Sequence, residues 1–197
     1  MKIEVQLTGV SAEDFRAVSA SVANREAMHA RMAGDAEIFV KRRGRATAAT
    51  EHRTANRLGT QPTGHLADAY EAIEGESSEA AAVLLVPGAS RLRAAFGRYA
   101  VTPQNGSQFL TIPAAADAYG RRAREFSDLF PVRVGPRKTL TLSRPREGGG
   151  LEVMYVLTKK AEIPEDSGLI PFDDLEAEAQ DSAEAFIDAA VQAHLQP

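Results

Sequence analysis

The first 60 residues combine a short alternating pattern with a long helical one. In residues 2–7, Lys, Glu and Gln alternate with Ile, Val and Leu, which is the two-residue period of a half-buried strand. Ser11 then offers a capping hydroxyl just before two acidic residues, as at the start of a helix. Apolar residues at helical spacing predict one long helix from there to about residue 56, with Gly34 or Gly44 as its breaking points.

Short apolar runs separated by turn residues fill the middle of the chain. They predict strands at residues 81–86, 108–112, 132–134, 140–142 and 151–158. Short helices are predicted at 66–73, 91–99 and 114–126, and turns at 75–78 and 103–106. The three glycines at 148–150 favour a hairpin before the last strand. Three or four of these strands are expected to form an antiparallel meander.

The C-terminal region predicts an extended connector at residues 161–171 and a helix over 173–194. That helix carries an apolar stripe, and its acidic residues crowd the N-terminal half, where they favour the helix dipole. The predicted fold is therefore α+β, with a small, mainly antiparallel sheet flanked by a long N-terminal helix and a C-terminal helix. At 197 residues, the chain is expected to form a single domain over 1–197.

Composition removes several classes of protein. The chain has no cysteine, so disulfides, thiolate nucleophiles and cysteine-ligated zinc are excluded. No apolar run approaches the roughly 20 residues of a membrane-spanning helix, and the N-terminus lacks the apolar core of a signal peptide. We therefore expect no membrane contact.

Charge is segregated along the chain, although the net charge is only −4. Residues 91–147 carry 11 basic and 4 acidic side chains, whereas residues 148–197 carry 2 basic and 11 acidic ones. The candidate basic contacts, which would face a subunit or DNA, are Lys41, Arg42, Arg43, Arg45, Arg53 and Arg57. The candidate acidic contact face is Asp173, Asp174, Glu176, Glu178 and Asp181. Both sets fit either solvated helix faces or complementary docking faces.

No motif indicates catalysis or a bound cofactor. The four histidines, His29, His52, His65 and His194, form no i,i+4 pair, and no HExxH sequence occurs. The Gly148–150 run lacks the Lys-Ser/Thr of a phosphate-binding loop, and no Gly-x-Ser-x-Gly elbow is present. We expect no catalytic residue, no metal and no cofactor.

Three stretches resemble one family. Residues 63–70, Thr-Gly-His-Leu-Ala-Asp-Ala-Tyr, look like the Thr-Gly-x-Leu-x-x-Ser-Ile element of phage virion morphogenesis proteins, with Ala69 where Ser is common. Residues 151–157, followed by Ile163-Pro164 and an acidic terminal helix, are similar to the closing strand, connector and last helix of that family. The Ile112-Pro113-Ala114 segment also looks similar.

The resemblance implies a structural protein of the phage neck or tail, such as a tail terminator, tail-completion or head–tail joining protein. Its partners would be other copies of itself in a ring, often hexameric, together with tail-tube or connector proteins and non-specific DNA in the lumen. It would be located in the virion and assembled in the host cytoplasm. The resemblance implies an α+β fold and no catalytic residues.

Two alternatives remain open from the sequence. Residues 41–57 are basic enough to bind nucleic acid through phosphates, although no aromatic residues are interleaved for base stacking. A small hydrolase would need a site that only the fold assembles.

Overall fold

The α+β class predicted from the sequence is confirmed. The computed structural model describes residues 11–50, 53–88 and 91–195, so the strand predicted at residues 2–7 lies outside the described residues. Contacts divide the described chain into two compact units: a helical unit (residues 11–43, 70–87 and 170–195) and a sheet unit (residues 44–69 and 88–169). The single domain expected from the length stays a prediction.

Five α-helices and eight strands are described. The helices are α1 Ala12–Ala23, α2 Arg25–Thr50, α3 Arg53–Leu58, α4 His65–Glu71 and α5 Phe172–Leu195. The strands are β1 Glu74–Ser77, β2 Ala82–Leu85, β3 Tyr99–Val101, β4 Leu110–Pro113, β5 Phe130–Val134, β6 Thr139–Pro145, β7 Leu151–Thr158 and β8 Ala161–Ile163. Short 3₁₀ turns occur at Arg91–Phe96, Ala116–Ala118, Ala123–Glu125 and Ser167–Leu169.

The predicted long helix is broken at Asn24, and the prediction of a break at Gly34 or Gly44 was wrong. Asn24 leaves the helical conformation with ψ of 80°, and its side-chain oxygen accepts the Ala27 N–H at 3.1 Å. An Asn side chain that caps the following helix in this way competes with continuous helix. A glycine in a helix interior costs only about 1 kcal/mol, so both glycines are tolerated inside α2.

In the helical unit, α1 and the first part of α2 contact α5 in antiparallel order, because the α5 partner falls in number as the other partner rises. The contacts join Ser21 Oγ to His194 Nε2 (3.1 Å), Arg31 Nη1 to the Ala185 carbonyl (3.4 Å), Ser182 Oγ to Asp35 Oδ2 (2.6 Å) and Arg43 to Asp174 (3.6 Å). Four small residues of these helices, Ala33, Ala36, Ser182 and Ala183, are buried.

A two-stranded antiparallel hairpin, β1–β2, lies on α2 in the same unit. Gly75 is in contact with the helix backbone: a Cβ there would lie 2.5 Å from the Ala33 carbonyl oxygen. Its N–H donates to Glu37 Oε2 at 2.7 Å. The turn predicted at 75–78 was therefore wrong, because those residues form most of β1. The chain reverses after them, where the Ser78 N–H donates to the Ala81 carbonyl at 2.9 Å.

The sheet unit contains a four-stranded antiparallel sheet in the order β4-β7-β6-β5. The predicted meander is thus confirmed, with a register shift at Leu142/Ser143. Its buried cluster is Met154, Tyr155 and Ala118. In the same unit, β3 pairs with β8.

The helix predicted at 114–126 is absent, and two 3₁₀ turns replace it. The Tyr155 hydroxyl donates to the carbonyls of Ala118 (3.2 Å) and Arg121 (3.0 Å), which a helix would use for its own hydrogen bonds. Gly120 has φ of 76°, a left-handed conformation that ends helical geometry. The helix predicted at 91–99 is also reduced to a 3₁₀ turn, Arg91–Phe96, followed by β3.

The segment predicted as an extended connector, 161–171, contains regular structure. Its first three residues are β8, and Ser167–Leu169 forms a 3₁₀ turn. Leu169 and Ile170 are buried. Apolar side chains at its end explain why this segment packs rather than projecting into solvent.

Candidate interaction surface

The structure distributes the six predicted basic residues over both units. Lys41, Arg42 and Arg43 lie on the α2 part of the helical unit, whereas Arg45, Arg53 and Arg57 belong to the sheet unit. Three of the six residues therefore belong to each unit.

Three of these basic side chains contact carboxylates of their own unit. Lys41 Nζ lies 2.7 Å from Glu37 Oε1 on the same helix, and Arg43 lies 3.6 Å from Asp174. In the sheet unit, Arg53 lies 4.0 Å from Asp166. Arg42 instead places its guanidinium carbon 6.0 Å from the centre of the Phe39 ring. The basic segment is thus partly neutralised within the chain.

The predicted acidic residues occupy the first half of α5. Asp173, Asp174, Glu176 and Asp181 are exposed, and Glu178 is half-buried. The Arg43–Asp174 pair joins the predicted basic and acidic sets inside one unit. Its side chains are 61% and 55% exposed, so solvent screening leaves it weak.

Sequence reasoning missed an apolar groove in the helical unit. Its volume is about 430 Å³, within the usual range for binding pockets. The residues that line it come from α2, β2 and α5 and include Met32, Ala36, Val83, Leu84, Phe172 and Leu175. Among the described residues that line it, Glu176 is the charged one.

Three successive residues of β2, Ala82, Val83 and Leu84, line the groove. Among the residues that the structure describes, β2 has β1 as its single strand neighbour.

The predicted strand at 81–86 is confirmed, but it is less buried than its continuous apolar run indicated. Ala82 and Leu84 are half-buried, whereas Val83 is 45% and Leu85 is 42% exposed. Phe172, on the α5 side of the groove, is 43% exposed. A continuous apolar run fits a strand covered on both faces, and this strand is covered on one.

The other side of the hairpin is fixed by Glu37. Its carboxylate accepts hydrogen bonds from Lys41 and from the Gly75 N–H, and both contacts lower the pKa of Glu37 below its usual value of 4.5. This connection holds β1 against α2.

One contact joins a serine and a histidine, the two residue types of a hydrolytic Ser–His pair. Ser21 Oγ lies 3.1 Å from His194 Nε2. Nucleophilic catalysis also needs a group that orients the histidine and donors for the oxyanion. Within residues 11–50, 53–88 and 91–195, His194 has no carboxylate partner. The contact is best described as a link between α1 and α5.

Two kinds of feature are absent from the residues that the structure describes. No group of three or more His, Asp or Glu side chains is arranged to hold a metal ion in that part of the chain. None of the helices in those residues has both the length and the apolar character needed to cross a bilayer.

Comparisons of the chain with protein-family models, with curated proteins and with solved structures give no match.

Proposed function

We propose that this protein is a non-catalytic structural subunit that assembles with copies of itself into a ring of the phage neck or tail, as a tail terminator, tail-completion or head–tail joining protein. The observation that carries the assembly proposal is the apolar groove of the helical unit, whose lining residues include the exposed Val83 and Phe172. The motif resemblances in residues 63–70, 112–114 and 151–164 support the phage assignment.

The groove fits assembly because its surface is apolar and accessible. Burying a large apolar side chain contributes about 1.5–3 kcal/mol, and contiguous exposed apolar surface marks interaction sites. The exposed carboxylate of Glu176 on α5 lines the groove. An apolar centre with a charged rim is the usual composition of a protein interface.

Charge segregation supports contacts between unlike faces. A ring requires two different surfaces that meet head to tail and close by rotation. The acidic first half of α5 is one such surface, and a basic surface of a neighbouring copy complements it. The Arg43–Asp174 contact occupies one acid of this set and leaves Asp173, Glu176 and Asp181 exposed.

The test is the mass of the protein in solution over a wide concentration range. We expect an oligomer whose dissociation constant rises roughly tenfold or more for the double variant Val83→Ser/Phe172→Ser, because two apolar side chains leave the interface. The matched control is Leu151→Ser in the sheet unit, which removes a side chain that is 47% exposed. A monomer at every concentration, also in the presence of tail tubes, would overturn the proposal.

The nucleic-acid alternative is distinguished by a separate measurement. Because Lys41, Arg43 and Arg53 already contact carboxylates, fewer cations are available for phosphates. We expect weak binding to short duplex DNA. Tight, salt-sensitive binding that Arg42→Ala/Arg43→Ala abolishes would favour the alternative over assembly.

A further inference from the structure

The sheet unit is positively charged in a chain whose net charge is negative. Residues 44–69 and 88–169, which form this unit, carry 16 basic and 10 acidic side chains, whereas the rest of the chain carries 7 basic and 17 acidic ones. A positive region attracts polyanions even when the total charge of the protein is negative, because the local field acts on a ligand that approaches it. The sheet unit therefore favours an anionic ligand.

Residues 91–99 of the sheet unit combine basic and aromatic side chains. They contain three arginines, Phe96 and Tyr99, and no acidic residue. Arg93 is exposed, and Phe96 is 61% exposed. Surfaces that bind single-stranded nucleic acid have this composition, since cations contact the phosphates and planar groups stack on the bases. The basic segment at residues 41–57 has no phenylalanine, tyrosine or tryptophan and so lacks the stacking groups.

Arg93 and Tyr99 form a cation–π pair. The guanidinium carbon of Arg93 lies 5.1 Å from the centre of the Tyr99 ring. Arg91, in the same 3₁₀ turn, instead lies 3.7 Å from the carboxylate of Asp166. A neutral ring does not cancel the charge of Arg93, so this charge remains available to a phosphate. The guanidinium is also planar, and a nucleic-acid base can stack on its face.

The backbone that carries this pair is held by buried neighbours and by hydrogen bonds. Leu92 and Ala94, on either side of Arg93 in the chain, are buried. The Asp166 N–H donates to the Ala94 carbonyl at 2.8 Å. Tyr99 is the first residue of β3, which pairs with β8. The pair is therefore positioned before a ligand binds, which lowers the entropic cost of binding.

A cavity of about 610 Å³ lies at the pair. The residues that line it include Arg93, Tyr99, Thr102, Gln104 and Leu110. Among the described residues that line it, Arg93 is the charged one. Thr102 and Gln104 offer hydrogen-bonding groups, and Leu110 offers apolar contact. One positive charge among neutral polar and apolar groups suits a nucleotide, which has an anionic phosphate and a planar base with polar edges.

We propose that the sheet unit binds single-stranded nucleic acid at this cavity, with one base stacked on the Arg93–Tyr99 pair and the phosphates attracted by the positive charge of the unit. A duplex is a weaker ligand, because its bases are stacked on one another and do not enter the cavity. Stacking tolerates any sequence, since every base has a planar face. The inference does not depend on ring assembly, because the residues that carry it belong to the sheet unit alone.

Fluorescence anisotropy of a labelled single strand, titrated with the full-length protein, tests this inference. The probes are an oligothymidine DNA and an oligouridine RNA of about 12 nucleotides, and the DNA annealed to its complement is the duplex. We expect at least one single strand to bind about tenfold more tightly than the duplex. Arg93→Ala should raise its dissociation constant about tenfold. Arg93→Lys, which keeps the charge but not the planar group, should raise it about fivefold.

Arg137→Ala is the matched control. Arg137 is an exposed residue between β5 and β6, and β5 lies at the opposite end of the strand order from β4, which carries Leu110 of the cavity. The substitution removes the same charge from the sheet unit and leaves the cavity intact. It should change the dissociation constant by less than about twofold. Unchanged unfolding midpoints verify that the variants are folded.

Three results would overturn the inference. The first is that neither single strand binds at low salt. The second is an equal loss of affinity in Arg93→Ala and Arg137→Ala, which would show attraction to the charge of the unit without a site. The third is wild-type affinity of Arg93→Lys, which would show a charge contact without stacking. The assembly proposal is judged separately by oligomer mass, so either one can fail while the other stands.

Discussion

The two units differ in how their described side chains pack. In the sheet unit, Met154 and Tyr155 are almost fully buried, and the central strands β6 and β7 are paired on both sides. In the helical unit, an apolar groove lies among α2, β2 and α5, and the residues that line it include the exposed Val83 and Phe172. We therefore expect the largest effects of substitution on stability in the sheet unit and effects on assembly in the helical unit.

The largest expected effect comes from the centre of the sheet unit. Tyr155 is 1% exposed, and its ring contacts Phe126 edge-on at 6.1 Å. Tyr155→Ala removes this packing and should lower the free energy of unfolding by about 3–5 kcal/mol. Tyr155→Phe keeps the ring but removes the hydroxyl that donates to the Ala118 and Arg121 carbonyls, so it should cost about 1–3 kcal/mol. Urea unfolding of the three proteins measures both values.

Hydrogen exchange of Tyr155→Ala also sharpens the comparison. If the two units open separately, β4–β7 amides lose protection while α5 amides keep theirs. An equal loss in both units would mean that they unfold as one cooperative domain, as the chain length predicts. That result would contradict the division of roles drawn above.

The second prediction concerns the close approach of β1 to α2. Gly75→Ala places a methyl group against the Ala33 carbonyl and should destabilise the protein by about 1–3 kcal/mol, because backbone must move. Gly34→Ala is the matched control on α2, where no atom lies within 4 Å of the added methyl group. It should stabilise the protein by about 0.5–1 kcal/mol. Equal unfolding midpoints for the two variants would show that the hairpin is not held at Gly75.

Sequence patterns predicted the elements that depend on neighbouring residues. They did not predict the elements that depend on contacts between residues far apart in the sequence. The strands at 132–134, 140–142 and 151–158 and the C-terminal helix follow from periodicity and turn residues alone. The helix predicted at 114–126 does not form. The Ala118 and Arg121 carbonyls in this segment accept hydrogen bonds from Tyr155, which is more than 30 residues away in the sequence. The groove could not be predicted, since its residues come from three separate segments and look like ordinary core positions in each.

The sequence identified the candidate charged residues, but it did not predict which of them contact each other. The acidic side chains in the first half of α5 are exposed except for Glu178. The division of the basic residues between two units follows from tertiary contacts that spacing does not encode. The Arg43–Asp174 pair could not be predicted from spacing either. Its members have 130 residues between them, and antiparallel packing of α2 and α5 brings them together.

The third prediction uses the pH dependence of stability. The pKa of Glu37 is lowered in the folded protein, first by Lys41 and then by the Gly75 N–H. The ionised carboxylate therefore stabilises the fold above pH 4.5, the usual value, and this contribution is lost as pH falls through the lower folded value. Glu37→Gln should cost about 1 kcal/mol at pH 7 and less at pH 3, as measured by urea unfolding. A cost that is independent of pH would show that packing, and not charge, connects β1 to α2.

The smallest expected effect on stability is at the Arg43–Asp174 pair. Variants of its acidic side chain also test whether the first half of α5 contacts another copy. Because both side chains are more than half exposed, Asp174→Asn should change the free energy of unfolding by at most about 1 kcal/mol. If the first half of α5 meets a basic surface of another copy, Asp173→Asn/Asp174→Asn should weaken the oligomer and reduce its sensitivity to salt. Asp188→Asn, an equally exposed change in the second half of α5, is the control. Lost fold stability with unchanged oligomer mass would assign these acids to the helical unit itself and not to its neighbours.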